Sequence, residues 1–366
     1  MARMIDGLLD RVGPIASLAF AVVALLAQGS LSPDLAAGLS IAATLVLVLA
    51  VFSSVHHAEV IAHRVGEPFG TLVLTVAVTV IEVALILSIM LAGEGSATLT
   101  RDTVLSVLMI VCNGLVGLCI VVGGFRYGEP GFRVTGAISY LVVLMPLATL
   151  TLILPAFTVS EYGPYYSSKQ LVYVSIATLV LYAVFLYVQT VRHRDYFLPG
   201  PVASEAAAEI DHEPSSREAV YSALMLMVAL TAVVLLAKLL GKPITQLVAA
   251  LGAPFAAVGL FVAMLVLMPE SIAALKSARR NELQKSLNLA LGSSLASIGM
   301  TIPAVGALSI YLGQPLALGL EPRDMVLVVL TFGVSLATFA SGRTNILPGF
   351  VHLVLFVTFV FLVFAP

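Results

Sequence analysis

Charged residues are scarce in this 366-residue sequence: Asp, Glu, Lys and Arg together make up 10% of it, against 60% for hydrophobic residues. A soluble globular domain carries about 25% charged residues. The chain therefore lacks the polar side chains that a water-facing surface requires. Its formal net charge of −2 gives no sign of a basic surface for nucleic acid. The composition predicts a membrane protein that binds no nucleic acid.

Cysteine is also rare, and the signatures of common enzyme classes are missing. Cys112 and Cys119 lie in one apolar segment, which is typical of small packing residues and excludes a disulfide framework. The stretch HHAEV (56–60) does not match the HExxH motif of zinc proteases, and neither a nucleophile elbow nor a phosphate-binding loop occurs. We therefore expect neither an enzyme nor a resident cofactor.

Long apolar runs, by contrast, are abundant, and they predict an all-α polytopic membrane protein with about eleven transmembrane helices. The run 35–65 is too long for one crossing, so its end is expected to continue as a helix into the cytoplasmic interface. The run 219–252 contains Gly241-Lys242-Pro243, which is expected to break or kink its helix. The eleven runs are 14–31, 35–65, 69–92, 103–124, 134–157, 169–191, 219–252, 255–275, 283–312, 323–341 and 346–365.

The distribution of Lys and Arg predicts the orientation of these helices. With a cytoplasmic N-terminus, most of the 18 Lys and Arg residues fall in segments on the inner side, as the positive-inside rule requires. The C-terminus would then lie outside. The N-terminal residues mix acids with arginines and show no small-residue cleavage site, so we expect no removable signal peptide. The residues left on the outer side are Arg101, Lys169, Lys238, Lys242 and Arg323.

The two halves of the sequence share a repeat. GEPF (66–69) precedes Glu82, and GAPF (252–255) precedes Glu270 at a similar distance. Five runs in each half make an odd number, so the two repeats have opposite orientations in the membrane. The two Glu-bearing helices would enter from opposite sides and meet at the midplane.

This repeat predicts four parts of the chain. The segment 192–218 is rich in Pro, Ala, Ser and Glu, which is typical of a flexible cytoplasmic linker. The parts are an extra N-terminal transmembrane helix at 1–34, a first membrane repeat at 35–191, the linker at 192–218 and a second membrane repeat at 219–366.

Glu82 and Glu270 are the strongest candidates for function. An acidic side chain at mid-bilayer costs about 2.5–3.5 kcal/mol even on insertion scales. Two carboxylates that approach each other in a low dielectric cannot both stay ionised unless a cation lies between them; otherwise they bind protons. Competition between a cation and protons for these two carboxylates is the basis of a cation/proton exchanger. A structural role as hydrogen-bonding residues is the alternative.

Neutral oxygens near the two glutamates could complete a cation site, because hard cations prefer oxygen ligands. Pro269 removes a helical hydrogen bond and frees the carbonyl of Leu265 for the same purpose. The serines that follow Gly292 could instead serve only close helix packing. The candidate side chains are Thr79, Asn113, Ser271, Ser293, Ser294 and Ser297.

A histidine-rich group lies near the predicted cytoplasmic end of the run 35–65. His56, Glu59 and His63 share one helical face, and His57 lies beside them. Histidine titrates near neutral pH, so these residues could sense cytoplasmic pH or relay protons. A polar face at the membrane interface is the alternative.

Three stretches carry a resemblance to a known family: residues 56–86, 269–303 and 341–356. They resemble the calcium/cation antiporter superfamily, specifically its calcium/proton exchanger branch, and most closely its bacterial ChaA-like members. The resemblance implies ten or eleven helices in two inverted repeats and an exchange, without ATP, of Ca²⁺ or a monovalent cation for protons across a bacterial inner membrane.

The resemblance also places individual residues. Glu82 and Glu270 stand where the two repeat-motif glutamates stand, Ser293 and Ser294 match the second-repeat GSS, and Asn113 matches the Asn of the first-repeat counterpart. The superfamily has Gly-Asn-Ala-x-Glu where this chain has VTVIE (78–82) and VLMPE (266–270). Fewer oxygens weaken the case for a tight Ca²⁺ cage. We expect Ca²⁺/H⁺ exchange, with Na⁺/H⁺ or K⁺/H⁺ exchange as the alternative and a passive cation channel as a remote one.

Overall fold

The computed structural model describes residues 10, 12–28, 32–66, 69–91, 96–198 and 214–365. These residues form helices joined by short connections, and the only β-type pairing among them is two isolated bridges, Gly131 with Arg343 and Tyr165 with Ala317. The helices are α1 (Gly13–Ala27), α2 (Pro33–Val65), α3 (Phe69–Leu91), α4 (Leu99–Tyr127), α5 (Val134–Ala156), α6 (Ser168–Arg192), α7 (Ser216–Ala250), α8 (Ala256–Ala278), α9 (Leu283–Leu312), α10 (Pro322–Phe339) and α11 (Ile346–Phe364).

Ten of these helices, α2 to α11, are long and apolar enough to cross a membrane, whereas α1 has 15 residues. Large apolar side chains cover their outer faces; Ile176, Val180 and Val184 of α6, for example, are all more than half exposed. Such a surface suits lipid, where a helix satisfies its backbone hydrogen bonds internally. The predicted all-α membrane architecture is confirmed, and most helix ends agree with the predicted ones to within a few residues.

The helix ends follow from local sequence. A capping box opens α7, where the Ser215 amide donates to Glu218 Oε2 at 2.7 Å and the Glu218 amide donates to Ser215 Oγ at 3.2 Å. Gly66 ends α2 with a φ of 72°, and Gly313 ends α9 with a φ of 64°. Glycine adopts these left-handed angles without a steric cost.

Among the described helices, α7 and α2 are the longest, and both exceed the thickness of a bilayer. The 33 residues of α2 span about 50 Å at about 1.5 Å per residue, against about 30 Å of hydrocarbon. The expected helical continuation through the histidine group to Val65 is therefore present. The break expected in α7 is absent, because α7 runs through Pro243 as one helix of 35 residues; the alternative, a kink at Pro243, stays a prediction. The Thr245 hydroxyl donates to the Lys242 carbonyl within the same helix at 2.8 Å.

The chain divides into two compact units. The first unit is Met1–Ser96 with His212–Val258, and the second is Ala97–Asp211 with Gly259–Pro366. In the first unit, α7 packs against α1, α2 and α3. In the second unit, α9 packs against α4, α5 and α6, and α11 packs against α4 and α10. Residues 199–213 of the predicted linker lie outside the described residues.

Several connections of the second unit meet at one end of its helices, which we call the Arg279 end. There the Tyr127 hydroxyl donates to the Arg279 carbonyl at 2.9 Å, and the Arg133 guanidinium donates to the Asp195 carbonyl at 2.8 Å. This end holds most of the Lys and Arg residues of the second unit: Arg126, Arg133, Arg192, Arg194, Lys276, Arg279, Arg280, Lys285 and Arg343.

The other connections meet at the opposite end, which we call the Arg101 end. The amide of Ala317 donates to the Ala97 carbonyl at 2.9 Å, and the amide of Leu320 donates to the Leu152 carbonyl at 2.8 Å. Only Arg101, Lys169 and Arg323 lie near this end of the second unit. The connections therefore sort into two groups that match the sides predicted from Lys and Arg.

Candidate functional site

Glu82 lies in the middle of α3 and is completely buried. Thr79 and Thr75 lie one and two turns before it on the same helical face, and both are buried as well. The helix packs against α2 and α7 within the first unit. Three oxygen-bearing side chains thus line a buried face of a helix whose residues are mostly apolar.

Glu270 lies on α8 in the second unit and is partly exposed, as is Ser271 beside it. Pro269 sits inside the same helix. A proline has no N–H, so the Leu265 carbonyl lacks its usual helical donor and can accept from or coordinate another group. The two predicted glutamates therefore differ in burial, which the repeat did not predict.

The predicted serine patch lies on α9. Ser294 and Ser297 are buried on one face of that helix, together with Thr301, whereas Ser293 is partly exposed. The Ser294 hydroxyl has no hydrogen-bond partner among the described residues. Buried polar groups are nearly always hydrogen-bonded, so this hydroxyl is available to a bound ligand.

Two contacts hold α9 in place. The Ser286 hydroxyl donates to the Ala274 carbonyl at 2.8 Å, one turn beyond Glu270 on α8. A Cβ placed on Gly292 would lie 3.7 Å from the ring of Tyr140, which is ordinary van der Waals contact. Gly292 therefore faces Tyr140 of α5 with room for a small side chain, and the packing interpretation of this patch stays a prediction.

Asn113 is completely buried in a π-helical turn, Ile110–Leu115, within α4. Its Nδ2 donates to Thr331 Oγ1 of α10 at 2.8 Å, and its Oδ1 lies 3.0 Å from Nδ1 of His352 on α11. The other ring nitrogen of His352 lies 3.1 Å from Thr338 Oγ1. π-helical turns are frequent at functional sites.

His352, Thr331 and Thr338 are not among the candidate residues predicted from the sequence. The signal that found Glu82, an ionisable residue inside an apolar run, applies equally to His352 in ILPGFVHLVLF (346–356). The threonines carry no such signal, because their role depends on which helices pack together.

The side chains of the histidine group differ in how deeply they are buried. His57 is completely buried, and its ring makes edge-on contacts with His56 at 5.4 Å and with Tyr221 of α7 at 6.1 Å between ring centroids. Glu59 and His63 are exposed on α2. The group therefore consists of a buried ring and an exposed polar face, and its role in pH sensing stays a prediction.

The two units hold different parts of the predicted site. Thr79, Glu82 and the histidine group belong to the first, and the remaining candidates belong to the second. Within the described parts of the chain, no group of three or more His, Cys, Asp or Glu side chains is arranged to hold a metal ion.

Sequence comparison decides the family. The family model described as "Sodium/calcium exchanger protein" matches residues 35–191 and 221–365. The chain belongs to this family. Its members are transporters of cations, so this chain is a cation exchanger rather than an enzyme, and the predicted resemblance is confirmed.

Two relatives cover most of the chain. A protein of Sinorhizobium fredii described as an ionic transporter, y4hA, is 46% identical over 346 residues, which are 94% of each chain. The sodium-potassium/proton antiporter ChaA of Escherichia coli is 35% identical over 315 residues, covering 86% of this chain and 85% of ChaA.

Solved structures agree with the fold. Native YfkE has a TM-score of 0.65 at 17% identity, covering 97% of this chain and 99% of its own. The H⁺/Ca²⁺ exchanger CAX has a TM-score of 0.67 at 16% identity, covering 96% of this chain and 88% of its own. At such identities the likeness concerns the fold alone.

Proposed function

We propose that this chain is a secondary active cation/proton antiporter of a bacterial inner membrane, with a cytoplasmic N-terminus. The observation that carries the proposal is Glu82, a completely buried carboxylate at the centre of a membrane-spanning helix. A buried carboxylate persists in such a place when a proton or a cation neutralises it. The repeat-related Glu270 of α8 would act in the same way.

Each carboxylate would alternate between a proton and a cation. When the cation binds, the carboxylate is ionised and its proton has left; when the cation leaves, a proton restores neutrality. Because only neutralised states are favourable inside the membrane, movement of one ion requires countermovement of the other. The neutral oxygens proposed to assist are those of Thr79, Asn113, Ser271, Ser293, Ser294 and Ser297.

Ca²⁺ is the first cation to test, and Na⁺ or K⁺ is the second. Ca²⁺ requires about six to eight oxygen ligands, and the solved structures of this fold include the H⁺/Ca²⁺ exchanger CAX. The identity with ChaA, described as a sodium-potassium/proton antiporter, favours monovalent cations. So does the absence of Asn before either glutamate, since a monovalent ion tolerates fewer charged and amide ligands.

Everted membrane vesicles test this proposal. After respiration acidifies the vesicle interior, added cation should collapse the pH gradient when the wild-type protein is present. Glu82→Gln and Glu270→Gln keep the size of the side chain but cannot exchange a proton, so each should abolish the collapse. A pH-sensitive dye follows the gradient for Ca²⁺, Na⁺ and K⁺ in turn.

Glu129→Gln provides the matched control, because Glu129 is exposed in the connection after α4; this variant should exchange like the wild type. Normal exchange by Glu82→Gln would refute the proposed role of this carboxylate. Cation flux that follows voltage without proton countermovement would instead identify a passive channel.

A further inference from the structure

A chain of hydrogen bonds connects three helices of the second unit. It runs from Thr338 of α10 through His352 of α11 and Asn113 of α4 to Thr331, again on α10. All four side chains are buried, and His352 and Asn113 have no exposed surface. The stretch 341–356, which contains His352, carries part of the family resemblance, but the proposed exchange mechanism gives it no role.

The orientation of Asn113 determines how the protons are arranged in this chain. Asn113 Nδ2 donates to Thr331, so Asn113 Oδ1 faces His352 and accepts from its Nδ1–H. In a neutral ring, Nε2 then carries no proton and accepts from the Thr338 hydroxyl. In each hydrogen bond of this chain, the donor therefore lies on the Thr338 side and the acceptor on the Thr331 side.

Close packing of α4 on α11 fixes the position of the imidazole. A Cβ placed on Gly117, one turn after Asn113, would lie 2.9 Å from His352 Cβ and 2.9 Å from the Gly349 carbonyl oxygen. A Cβ on Gly114 would lie 3.2 Å from the ring of Phe356. The two backbones thus approach as closely as glycine permits, which leaves the ring of His352 little freedom to move away from Asn113.

A carboxamide has two ends of opposite character, and only its oxygen can bind a cation. With Nδ2 held by Thr331 and one lone pair of Oδ1 held by His352, the amide cannot turn its N–H groups towards a cation. The second lone pair of Oδ1 stays available. Without the imidazole, the carboxamide loses the donor to its oxygen and keeps only the contacts of Nδ2 with Thr331 and, more weakly, with the sulfur of Met109 at 3.7 Å.

We propose that His352 is a positioning residue that orients the Asn113 carboxamide for cation binding and so contributes to cation affinity and selectivity. This inference rests on the proposed function, since it takes Asn113 as a residue of the cation site. Side chains that orient metal ligands through hydrogen bonds typically account for about 10–100-fold in metal affinity. An effect of that size is expected here.

The first test compares His352→Leu, which removes the donor, with His352→Asn, whose amide N–H lies near the place of Nδ1–H. In the vesicle assay, His352→Leu should raise the cation concentration for half-maximal exchange by about 10–100-fold, with the maximal rate less affected. His352→Asn should recover part of this loss. If His352 had only a structural role, its replacement would lower the amount of active protein and the maximal rate but leave the cation concentration for half-maximal exchange unchanged. That result would overturn the proposal.

A double-mutant cycle with Asn113→Ala provides the second test. If His352 acts through Asn113, adding His352→Leu to the Asn113→Ala variant should cause little further change in the cation concentration for half-maximal exchange. Additive effects of the two substitutions would overturn the proposal. Thr331→Val removes the acceptor of Asn113 Nδ2 and should also raise the cation concentration for half-maximal exchange. This variant keeps the proposal testable if His352→Leu does not fold. Unchanged half-saturation in Thr331→Val would count against the proposal.

Thr358→Val is the matched control on α11, because its hydroxyl is exposed and donates only to the Val354 carbonyl within the helix. The shift of thermal unfolding temperature with Ca²⁺, Na⁺ or K⁺, measured on purified protein, reports binding without transport. If the wild type binds cation but moves no protons, the proposed exchange fails while the role of His352 is still measured. If binding is equal in the wild type and His352→Leu, the role of His352 fails.

Discussion

At the scale of single residues, glycine decides how closely α4 and α11 approach. Gly117 contacts α11 at Gly349 and His352, and Gly124 contacts it at Ile346, where an added Cβ would lie 2.8 Å from the side chain. Helices in lipid associate largely through such close packing of small residues. The position of the polar chain around Asn113 therefore depends on residues that have no polar side chain.

Gly117→Ala should destabilise the protein by about 1–3 kcal/mol, the usual range for inserting atoms into a well-packed interior. The added methyl group would contact backbone atoms of α11, which cannot move aside as a side chain can. Thermal unfolding in detergent measures the change.

Gly333→Ala is the matched control on α10, since an added Cβ there meets no atom within 4 Å. It should be neutral or stabilise the helix by about 0.5–1 kcal/mol, because alanine loses less backbone entropy than glycine. Equal effects of the two substitutions would contradict the packing interpretation.

The residue scale also shows where sequence inference succeeded and failed. Glu82 could be predicted because one acid in an apolar run is conspicuous. His352 was missed although it carries the same signal. The unequal burial of Glu82 and Glu270 could not be predicted from matching repeat positions, because burial depends on the neighbours of α3 and α8 in space.

At the scale of helices, the boundaries were predictable and the interior irregularities were not. Apolar runs end where charges, glycine or proline begin, so the ends of α9 agree with the run 283–312. Nothing in IVCNGL (110–115) indicates a π-helical turn, because its Asn and Gly weaken a helix without specifying which irregularity results. The break expected at Pro243 is absent, because neighbouring helices and side-chain hydroxyls allow a helix in the membrane to tolerate a proline; the kink stays a prediction.

The π-helical turn in α4 offers a test at this scale. A π-turn accommodates one extra residue without changing the faces of the flanking helix. Deleting Cys112 should therefore convert the turn to α-helix and keep Gly117 and Gly124 facing α11. The protein should fold but lose exchange, because Asn113 no longer points at Thr331 and His352. Membrane yield, thermal unfolding and the vesicle assay measure these outcomes.

The matched control deletes Leu118 from the regular part of the same helix. This deletion should rotate every later residue of α4 by about 100°, move Gly124 off the contact with α11 and destabilise the fold. Retained exchange after deletion of Cys112 would show that the π-turn has no part in transport.

At the scale of the whole molecule, the distribution of charge and the contacts between connections agree. In the second unit, the connections grouped at the Arg279 end carry most of the cationic residues, and those grouped at the Arg101 end carry few. The distribution of Lys and Arg alone predicted which connections share a side of the membrane. The hydrogen bonds between connections support the same grouping independently. The division into two compact units was not predictable, because each unit combines helices from both sequence halves.

The Arg279 end should face the cytoplasm. Alkaline phosphatase matures only where disulfides form, outside the cytoplasm. A fusion after Tyr162, at the Arg101 end, should therefore be active, and a fusion after Arg280 should be inactive. Green fluorescent protein at the same two positions should give the opposite pattern. Activity of the phosphatase after Arg280 would reverse the proposed orientation.

Both cysteines of the chain, Cys112 and Cys119, are about 1% exposed and lie on α4 of the second unit. An alkylating reagent therefore has no thiol to reach while that unit stays closed. Partial opening of the second unit around α4 exposes them. The rate at which the reagent alkylates the native protein therefore measures how often the second unit opens. This measurement needs no engineered label.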